Sequence, residues 1–368
     1  MVLEFMKPLG ELLLYRDKIN KELEEIHPRN VNTEYLSFVS GKVTYTDLSK
    51  DIEDGLMLPN WDMLDRPKCH LRPMVFLLLM GGLDKNPDDF VKYSAILEMI
   101  HNGTLIHDDI EDGGKIRRGD LSTYLKYGTD VAVNSANLMY FAPFLFLKKY
   151  KKDFSGDVIV KSYDCLMEHL NRVTWGQAID IKWHNELKVP SVEEYLQMCC
   201  YKTGAIDRMV FSFAGVLAEV DDSLQEKLED FGESLGICFQ IHDDFLDICS
   251  IDRKNVGGKT VGNDISEGKK SIVNILALDN LESSDREKLL SILNKKTEDS
   301  SEIQEALELI GSSGSLEETL KLANREFGKL KESCGEIIND KYASILVELL
   351  EAMEKDMIKK YSNTQWAK

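Results

Sequence analysis

Apolar residues recur along this chain at the three- and four-residue spacing of helices, and strand-like alternation over six or more residues is rare. This spacing places apolar side chains on one face of a helix, which can then pack against a core. We therefore predict helices at both ends of the chain. The stripes that carry this prediction are Leu13, Ile19, Leu23 and Ile26 near the N-terminus, and Leu346, Leu349, Met353 and Met357 near the C-terminus.

The distribution of proline favours a helical fold throughout. The chain has eight prolines, and none follows Pro190. Because helix interiors exclude proline, so long a stretch without it indicates long helices rather than a loop-rich β protein. No composition shift, repeat or low-complexity tract marks a linker. We expect a single all-α domain over residues 1–368 with roughly ten or more helices. The predicted turns lie at residues 81–87, 113–114, 189–190, 257–258 and 311–315.

Composition narrows the function classes. With 45 Lys and Arg against 64 Asp and Glu, the formal net charge is −19. Binding to nucleic acid or to an anionic membrane surface requires basic segments, so both partners are disfavoured. A phosphate-bearing substrate would need local basic residues or metal ions to offset this charge.

Cysteine usage and hydropathy indicate the compartment. The seven cysteines include no CxxC pair, which is typical of reduced thiols. Glu4 and Glu11 interrupt the apolar N-terminus, so no signal peptide is expected. The longest apolar stretches, residues 74–80 and 140–147, are shorter than the ~20 residues that span a bilayer. We expect a cytoplasmic protein without a transmembrane segment.

Two acidic motifs carry the strongest chemical signal. Each reads Asp-Asp-x-x-Asp, at residues 108–112 and at residues 243–247. On a helix, residues four apart share a face, so the first and last carboxylates of each motif repel each other. Carboxylates crowded beside apolar residues need cations. Mg²⁺ is favoured, because it binds through one or two carboxylates plus phosphate oxygens of a substrate.

Each motif alone could also be an acidic helix end at the surface. Two copies of one pattern, each at the end of an apolar helical run, favour a different interpretation. The two helices would present their carboxylates to each other as the two walls of one metal-binding cleft. Arg117 and Arg118 follow the first motif after a glycine-rich turn. Paired guanidinium groups suit the binding of a diphosphate.

Together these residues resemble the trans-prenyl diphosphate synthases, the polyprenyl synthetase family. The resemblance covers about residues 65–275, and residues 101–112 and 134–141 are most similar to geranylgeranyl diphosphate synthases. It implies the isoprenoid synthase fold, with helices around a central metal and substrate cavity, and a homodimer. The other matching segments are Arg72-Pro73, Gly176-Gln177-x-x-Asp180, Lys202-Thr203-Gly204, Phe239-Gln240 and Gly262-x-Asp264-Ile265-x-x-Gly268-Lys269.

The resemblance also implies a reaction and a role for each matching residue. Family members join an allylic diphosphate (dimethylallyl, geranyl or farnesyl) to isopentenyl diphosphate. Several Mg²⁺ ions, held with the substrate diphosphate, would bind Asp108, Asp112 and Asp243, supported by Asp109, Asp244 and Asp247. The allylic diphosphate would bind Arg117, Lys202, Lys259 and Lys269. Lys202, Thr203 and Gln240 would be catalytic, with Thr203 and Gln240 facing the allylic carbon. Isopentenyl diphosphate, which carries no metal, would bind Arg72, His101 and Arg118.

One loop departs from the family pattern. The family usually has a lysine three residues before the arginine at position 72, where this chain has Cys69. Lys68 lies one residue too early and could reach the same phosphate if the loop holds an extra residue. His107 and His242 precede the aspartate pairs and are interpreted as structural.

Small residues before the first motif predict a longer product. In this family the chain grows down an apolar tunnel along the first-motif helix, and large residues four and five positions before Asp108 stop it near farnesyl length. Here those residues are Thr104 and Gly103, and one helical turn of ~5.4 Å matches about one isoprene unit. Tyr140 and Phe141 are the candidate floor. We favour a C20 product, geranylgeranyl diphosphate.

Other functions stay open at this stage. The product could be farnesyl or a longer polyprenyl diphosphate, or the chain could be a subunit of a heteromeric synthase. Outside this class, His107-Asp108 and His242-Asp243 are compatible with a His-Asp type metal phosphohydrolase. That alternative does not explain two complete aspartate motifs or the paired arginines.

Overall fold

The computed structural model describes residues 10, 12–42, 45–67, 70–186, 188–249 and 262–367. These residues are almost entirely helical, which confirms the predicted all-α fold. The helices are α1 (Arg16–Ile26), α2 (Thr33–Ser40), α3 (Ser49–Ile52), α4 (Leu58–Asp65), α5 (Leu71–Gly82), α6 (Val91–Asp112), α7 (Thr123–Tyr127), α8 (Thr129–Lys149), α9 (Gly156–Asn185), α10 (Val192–Cys199), α11 (Ala205–Ala218), α12 (Asp222–Cys249), α13 (Asn263–Glu267), α14 (Ile272–Asn280), α15 (Ser283–Lys295), α16 (Ser300–Ser312), α17 (Ser315–Ile337) and α18 (Asp340–Ser362). The shorter elements are π-helical turns at Glu53–Met57 and Cys200–Gly204, a 3-10 turn at Pro87–Phe90, and strands β1 (Ile116–Arg117) and β2 (Asp120–Leu121).

Most predicted turns coincide with helix ends. Gly113 ends α6 with a φ of 71°, a left-handed conformation that glycine adopts without strain. A capping box at Ser191 begins α10, directly after Pro190. Gly314, with a φ of 84°, precedes α17. The turn predicted at residues 257–258 lies outside the described residues. Proline is not fully excluded from helices, because Pro143 lies inside α8.

The described residues divide into two compact units. The first unit comprises residues 12–164 with Val216–Glu219. Its centre is α6, which packs against α1, α5 and α8. The predicted stripe on α1 is buried through Ile19, Leu23 and Ile26, whereas Leu13 precedes the helix and is half-buried. The first motif lies at the C-terminal end of α6.

The second unit comprises residues 165–215 and 220–367. Its centre is α12, which packs against α17, α18, α14 and the π-helical turn at Cys200–Gly204. The predicted C-terminal stripe lies on α18, where Leu346, Leu349, Met353 and Met357 are all buried. The second motif lies near the C-terminal end of α12. A single domain over residues 1–368 stays a prediction.

No helix among the described residues is long and apolar enough to cross a bilayer.

Candidate active site

The first motif occupies the last turn and a half of α6. Asp108 and Asp112 are half-buried, whereas the side chain of Asp109 is only 2% exposed. Residues four apart share a helix face and their neighbour at i+1 does not, which explains this alternation. Asp109 points inward, and Asp108, whose side chain is 20% exposed, is the more accessible of the outer two, since both carboxylate oxygens of Asp112 are buried.

A short hairpin brings Arg117 to the first motif. Its Nε donates to Asp109 Oδ1 at 2.8 Å, and its Nη2 donates to Asp108 Oδ2 at 3.0 Å. Strands β1 and β2 pair Arg117 with Asp120, so Arg118 and Gly119 form a two-residue loop. Both loop residues have positive φ, 54° and 85°, as a tight hairpin turn of the I′ type requires.

Arg66 fixes this hairpin from the other side. It is 6% exposed and donates to the carbonyl oxygens of Arg117 at 2.9 Å and Leu121 at 2.7 Å. Its Nη2 also donates to Asp62 Oδ2 at 2.6 Å. The backbone of the paired arginines is thereby held by a buried, charge-compensated guanidinium.

Arg72 and His101 lie together, as expected for one anion site. Arg72 Nη1 lies 3.1 Å from His101 Nε2. Burial, together with the positive charge of Arg72, lowers the pKa of His101 well below its usual range. His101 is therefore a neutral hydrogen-bonding group in the absence of an anion. Arg72 carries the positive charge of this pair.

The second motif, on α12, repeats the alternation of the first. Asp243 is exposed, Asp244 is buried and Asp247 is half-buried. The carboxylate of Asp247 accepts from the backbone N–H groups of Asn263 and Asp264, each at 3.2 Å. These bonds attach the start of α13 to the last turn of α12.

Asp244 is the centre of a hydrogen-bond network. Its Oδ2 accepts from the Tyr195 hydroxyl at 2.7 Å and from the Ile272 N–H at 3.0 Å, and its Oδ1 accepts from Gln240 Nε2 at 2.7 Å. The other end of Gln240, Oε1, accepts from the Thr203 hydroxyl at 2.5 Å. Burial raises the pKa of Asp244 to about 6 in spite of these donors. Thr203 and Gln240, two of the three predicted catalytic residues, are in direct contact through this hydrogen bond between Thr203 and Gln240.

Lys202 lies in the π-helical turn and pairs with Asp180 of α9. Lys202 Nζ is 2.6 Å from Asp180 Oδ2. Burial opposes ionisation of Asp180, but the ammonium groups of Lys202 and Lys269 outweigh it and lower the pKa of Asp180. Lys269 itself lies 2.8 Å from Glu267 Oε2. Lys202 and Lys269 are thus part of one local charge network.

Two glycines allow this turn to lie so close to its neighbours. A Cβ at Gly176 would come within 2.4 Å of the Lys202 backbone nitrogen, and a Cβ at Gly236 within 2.7 Å of the Thr203 carbonyl oxygen. Glycine is therefore required at both positions for the Lys202–Thr203 backbone to fit. The π-helical geometry at Cys200–Gly204 is typical of functional sites.

The comparisons with known proteins agree with these motifs. A family model of the polyprenyl synthetases matches residues 59–310, more than half of the chain. The chain belongs to this family. This polyprenyl synthetase is 37% identical over 266 residues to a geranylgeranyl pyrophosphate synthase of Dictyostelium discoideum, covering 72% of this chain and 82% of the relative. It is 34% identical over 260 residues to a short chain isoprenyl diphosphate synthase of Methanocaldococcus jannaschii, covering 71% and 77%.

A solved structure shows the same fold. It is a polyprenyl synthase from Caulobacter crescentus complexed with calcium and isoprenyl diphosphate, with a TM-score of 0.78 and 23% identity over 95% of this chain and 96% of that one. The resemblance drawn from the motifs is confirmed at the level of family and fold.

The donor set of this polyprenyl synthetase fits a magnesium ion that is completed by its substrate. All candidate ligands are carboxylates, the hard oxygen donors that Mg²⁺ prefers. In the part of the chain that the structure describes, no group of three acidic, His or Cys side chains converges closely enough to hold an ion alone. An ion bound by a few carboxylates needs further oxygen ligands, which a diphosphate can supply.

Among the predicted product-length residues, Gly103 and Tyr140 are in contact. A Cβ at Gly103 would lie 3.0 Å from the Tyr140 ring, and this ring also packs on His107 with centroids 5.0 Å apart. Thr104 is half-buried and donates to the His101 carbonyl oxygen at 2.7 Å. Phe141 is 65% exposed in the single chain, because consecutive helical residues point in different directions.

Several side chains that organise the site were not predicted from the sequence. These are Arg66, His70, Glu98, Asn102 and Tyr195. Their roles depend on contacts over long separations, such as the 49 residues between Tyr195 and Asp244. The predicted ligands Lys68 and Lys259, and Cys69, lie outside the described residues.

Proposed function

We propose that this polyprenyl synthetase is a chain-elongating prenyltransferase whose product is geranylgeranyl diphosphate (C20). Its substrates are isopentenyl diphosphate and an allylic diphosphate: dimethylallyl, geranyl or farnesyl. The observation that carries this proposal is the repeated placement of the two motifs near the C-terminal ends of α6 and α12, each with its inner carboxylate held by the protein: Asp109 by Arg117 and Asp244 by Tyr195. The relatives with short-chain and geranylgeranyl names support the product class.

The reaction first breaks the bond between the allylic carbon and the diphosphate oxygen. The electron pair leaves with the diphosphate, and an allylic cation remains. The isopentenyl double bond then forms the new carbon–carbon bond, and a proton is lost to the departed diphosphate. The barrier falls mainly through stabilisation of the leaving charge by fixed cations.

Basic side chains of the second unit would bind the leaving diphosphate. Lys202 and Lys269 share the charge network of Asp180, which keeps their ammonium groups in place before substrate arrives. Arg117 of the first unit, which Asp108 and Asp109 hold in place, would bind the same diphosphate. Lys259 completes the proposed set of diphosphate ligands. Asp108, Asp112 and Asp243, supported by Asp109, Asp244 and Asp247, would hold Mg²⁺, which would neutralise the charge that develops on this leaving group.

Thr203 and Gln240 would stabilise the allylic cation. The Thr203 hydroxyl proton is directed at Gln240 Oε1, and therefore the lone pairs of Thr203 Oγ1 can face a positive carbon. Gln240 is oriented in turn by Asp244. An oxygen dipole held in this way needs no reorientation when the charge appears.

Isopentenyl diphosphate would bind Arg72, Arg118 and neutral His101, with Lys68 as a further ligand. The guanidinium groups supply charge, and the imidazole supplies an N–H donor. No metal is needed at this diphosphate, because two guanidinium groups already offset much of its charge.

We further propose a homodimer in which residues 1–368 of each copy form one synthase domain in the cytoplasm. The support is an exposed apolar row on α9, where Val160, Met167 and Trp175 are 49–63% exposed and share a face. Such rows mark interaction surfaces. Light scattering should give twice the 41.9 kDa chain mass, and Trp175→Glu should reduce it to a single chain. A monomeric wild-type protein would exclude this arrangement.

The decisive experiment supplies Mg²⁺, isopentenyl diphosphate and each of the three allylic primers in turn, and measures product length. All three primers should yield a C20 product, and EDTA should abolish it. Product that stops at C15 would favour a farnesyl synthase, and product beyond C20 a longer-chain one. Activity that appears only with a second subunit would favour a heteromeric enzyme. Release of phosphate from nucleotides without carbon–carbon bond formation would exclude the proposal in favour of a phosphohydrolase.

A further inference from the structure

Two non-glycine residues at the proposed isopentenyl diphosphate site have a left-handed backbone conformation. His70 has a φ of 49° and immediately precedes α5, on which Arg72 lies. Arg118, itself a proposed ligand, has a φ of 54° in the β1–β2 loop. Such conformations are unfavourable for residues with a Cβ and persist only where surrounding contacts enforce them.

Both strained residues lead to one buried carboxylate, Glu98 of α6. His70 Nδ1 lies 3.3 Å from Glu98 Oε1. Asn102 Nδ2 donates to the same oxygen at 2.9 Å and to the Glu98 carbonyl oxygen at 2.7 Å. At the other end of the amide, Asn102 Oδ1 accepts from Arg118 Nη1 at 2.8 Å. Glu98 thus connects the start of α5 with the arginine hairpin.

The burial of this group excludes a surface role. Glu98 is 1% exposed, Asn102 is 0% and His70 is 3%. A carboxylate at such depth is costly unless polar partners compensate it, and the helix around it would be equally well formed with an apolar residue. The charges of Glu98, Arg72, Arg117 and Arg118 all act on the His101 imidazole, so this carboxylate lies close to three arginines.

We infer that Glu98 and Asn102 form a positioning pair for the diphosphate of isopentenyl diphosphate. Glu98 packs its carboxylate against His70 at ion-pair distance, next to the first turn of α5, and Asn102 holds the guanidinium of Arg118 by a hydrogen bond. Neither residue needs to touch the substrate, because both act through Arg72 and Arg118. This inference rests on the proposed prenyltransferase function and adds a specificity: the pair serves one of the two substrates.

The test compares Michaelis constants for the two substrates. Glu98→Gln and Asn102→Leu should each raise KM for isopentenyl diphosphate about tenfold or more, because small displacements of binding groups have large effects. KM for the allylic substrate should change less than about twofold. Glu53→Gln is the control in the same unit, since Glu53 is also a partly buried glutamate and accepts from the Val31 N–H at 2.7 Å. It should leave both constants unchanged.

A double variant provides a rescue. In Glu98→Gln with Asn102→Asp, the new amide at 98 can donate to the new carboxylate at 102, which still accepts from Arg118. This reversed pair should recover part of the isopentenyl affinity lost in Glu98→Gln. Circular dichroism and Tm identify variants that fail to fold. If Glu98→Gln fails to fold, Asn102→Leu provides the comparison of the two KM values instead.

The outcomes separate this inference from the proposed function. Folded variants in which both KM values rise equally, or in which neither changes, would overturn the positioning pair while the wild-type enzyme still makes C20 product. A wild-type protein that forms no carbon–carbon bond would instead overturn the proposed function.

Discussion

The two aspartate motifs have the same sequence pattern and the same alternation of burial, yet the protein compensates their inner carboxylates differently. Asp109 pairs with the guanidinium of Arg117. Asp244 is held by neutral donors: a tyrosine hydroxyl, a glutamine amide and one backbone N–H. The first motif therefore couples its inner carboxylate to a proposed diphosphate ligand, and the second couples it to the residues proposed to face the allylic carbon.

This difference teaches that a repeated motif does not imply a repeated function for each of its positions. The outer residues, at i and i+4, lie on one face of each helix because helix geometry sets their direction, although their partners differ: Asp108 pairs with Arg117, and Asp247 accepts from the Asn263 N–H. The inner residue takes its role from whichever elements pack against it. We expect substitutions at outer positions to act alike and those around the inner positions to differ.

The largest effect is expected where the motifs are equivalent. Asp108→Ala and Asp243→Ala should each lower kcat by about 10²–10³-fold or more, because each removes a carboxylate that holds the charge-neutralising cation. Helical circular dichroism should be unchanged, since each substitution also relieves like-charge repulsion. Steady-state kinetics over a Mg²⁺ titration measures the loss. Near-normal turnover of either variant, or of the wild type in EDTA, would contradict a shared metal role.

A smaller effect, confined to the second motif, is expected for Tyr195→Phe. Removing the hydroxyl leaves Asp244 with one donor fewer, which loosens Gln240 and lowers kcat about tenfold with little change in either KM. Tyr93→Phe is the control, because Tyr93 is equally buried and donates to Asp153 at 2.9 Å in the first unit. Equal kinetic effects of the two variants would show that the hydroxyl serves stability alone.

Product length should respond to the first-motif helix and to Tyr140 of α8, which packs against it, and not to the second-motif helix. The residues four and five positions before Asp108 are Thr104 and Gly103, whereas the corresponding residues before Asp243 are the larger Phe239 and Cys238. Thr104→Phe should shorten the product toward C15 while turnover persists, because the metal ligands are untouched. Tyr140→Ala should lengthen it, at a cost of up to about 3 kcal/mol for a half-buried aromatic. Chain-length analysis checks both predictions. An unchanged product length in Thr104→Phe would show that the tunnel does not run along this face of α6.

Stability should depend on pH in the same way in the two units. Burial lowers the pKa of His27 in the first unit, and of His169 in the second, to about 4. Each folded histidine binds fewer protons than its unfolded counterpart, whose pKa is near 6.5. Stability should therefore fall as pH drops from about 6.5 to about 4, by ~3 kcal/mol per histidine. Tm measured against pH checks this, and His27→Phe, which keeps a ring against Trp61, should flatten the curve.

The sequence was sufficient for the helices, because they follow from the spacing of apolar residues along one element. The partners of Asp109 and Asp244 were not predictable in the same way. The hairpin at Arg117–Asp120 is too short for a periodic signal, and its turn uses arginine where asparagine or glycine is usual. The π-helical turn at Lys202 and the link from Glu98 to Arg118 depend on packing between distant segments.

The contacts at Gly176 and Gly236 also limit how this enzyme can be redesigned. Even a methyl group at either position would collide with the backbone of the Lys202–Thr203 turn. A library that varies this turn must therefore hold both glycines constant, or most of its members will displace Lys202, the proposed catalytic lysine, rather than acquire a new specificity. The contact between α6 and α8 at Gly103 is more permissive, since there a new Cβ would meet side chains that can move. Directed evolution toward other chain lengths should begin at that contact.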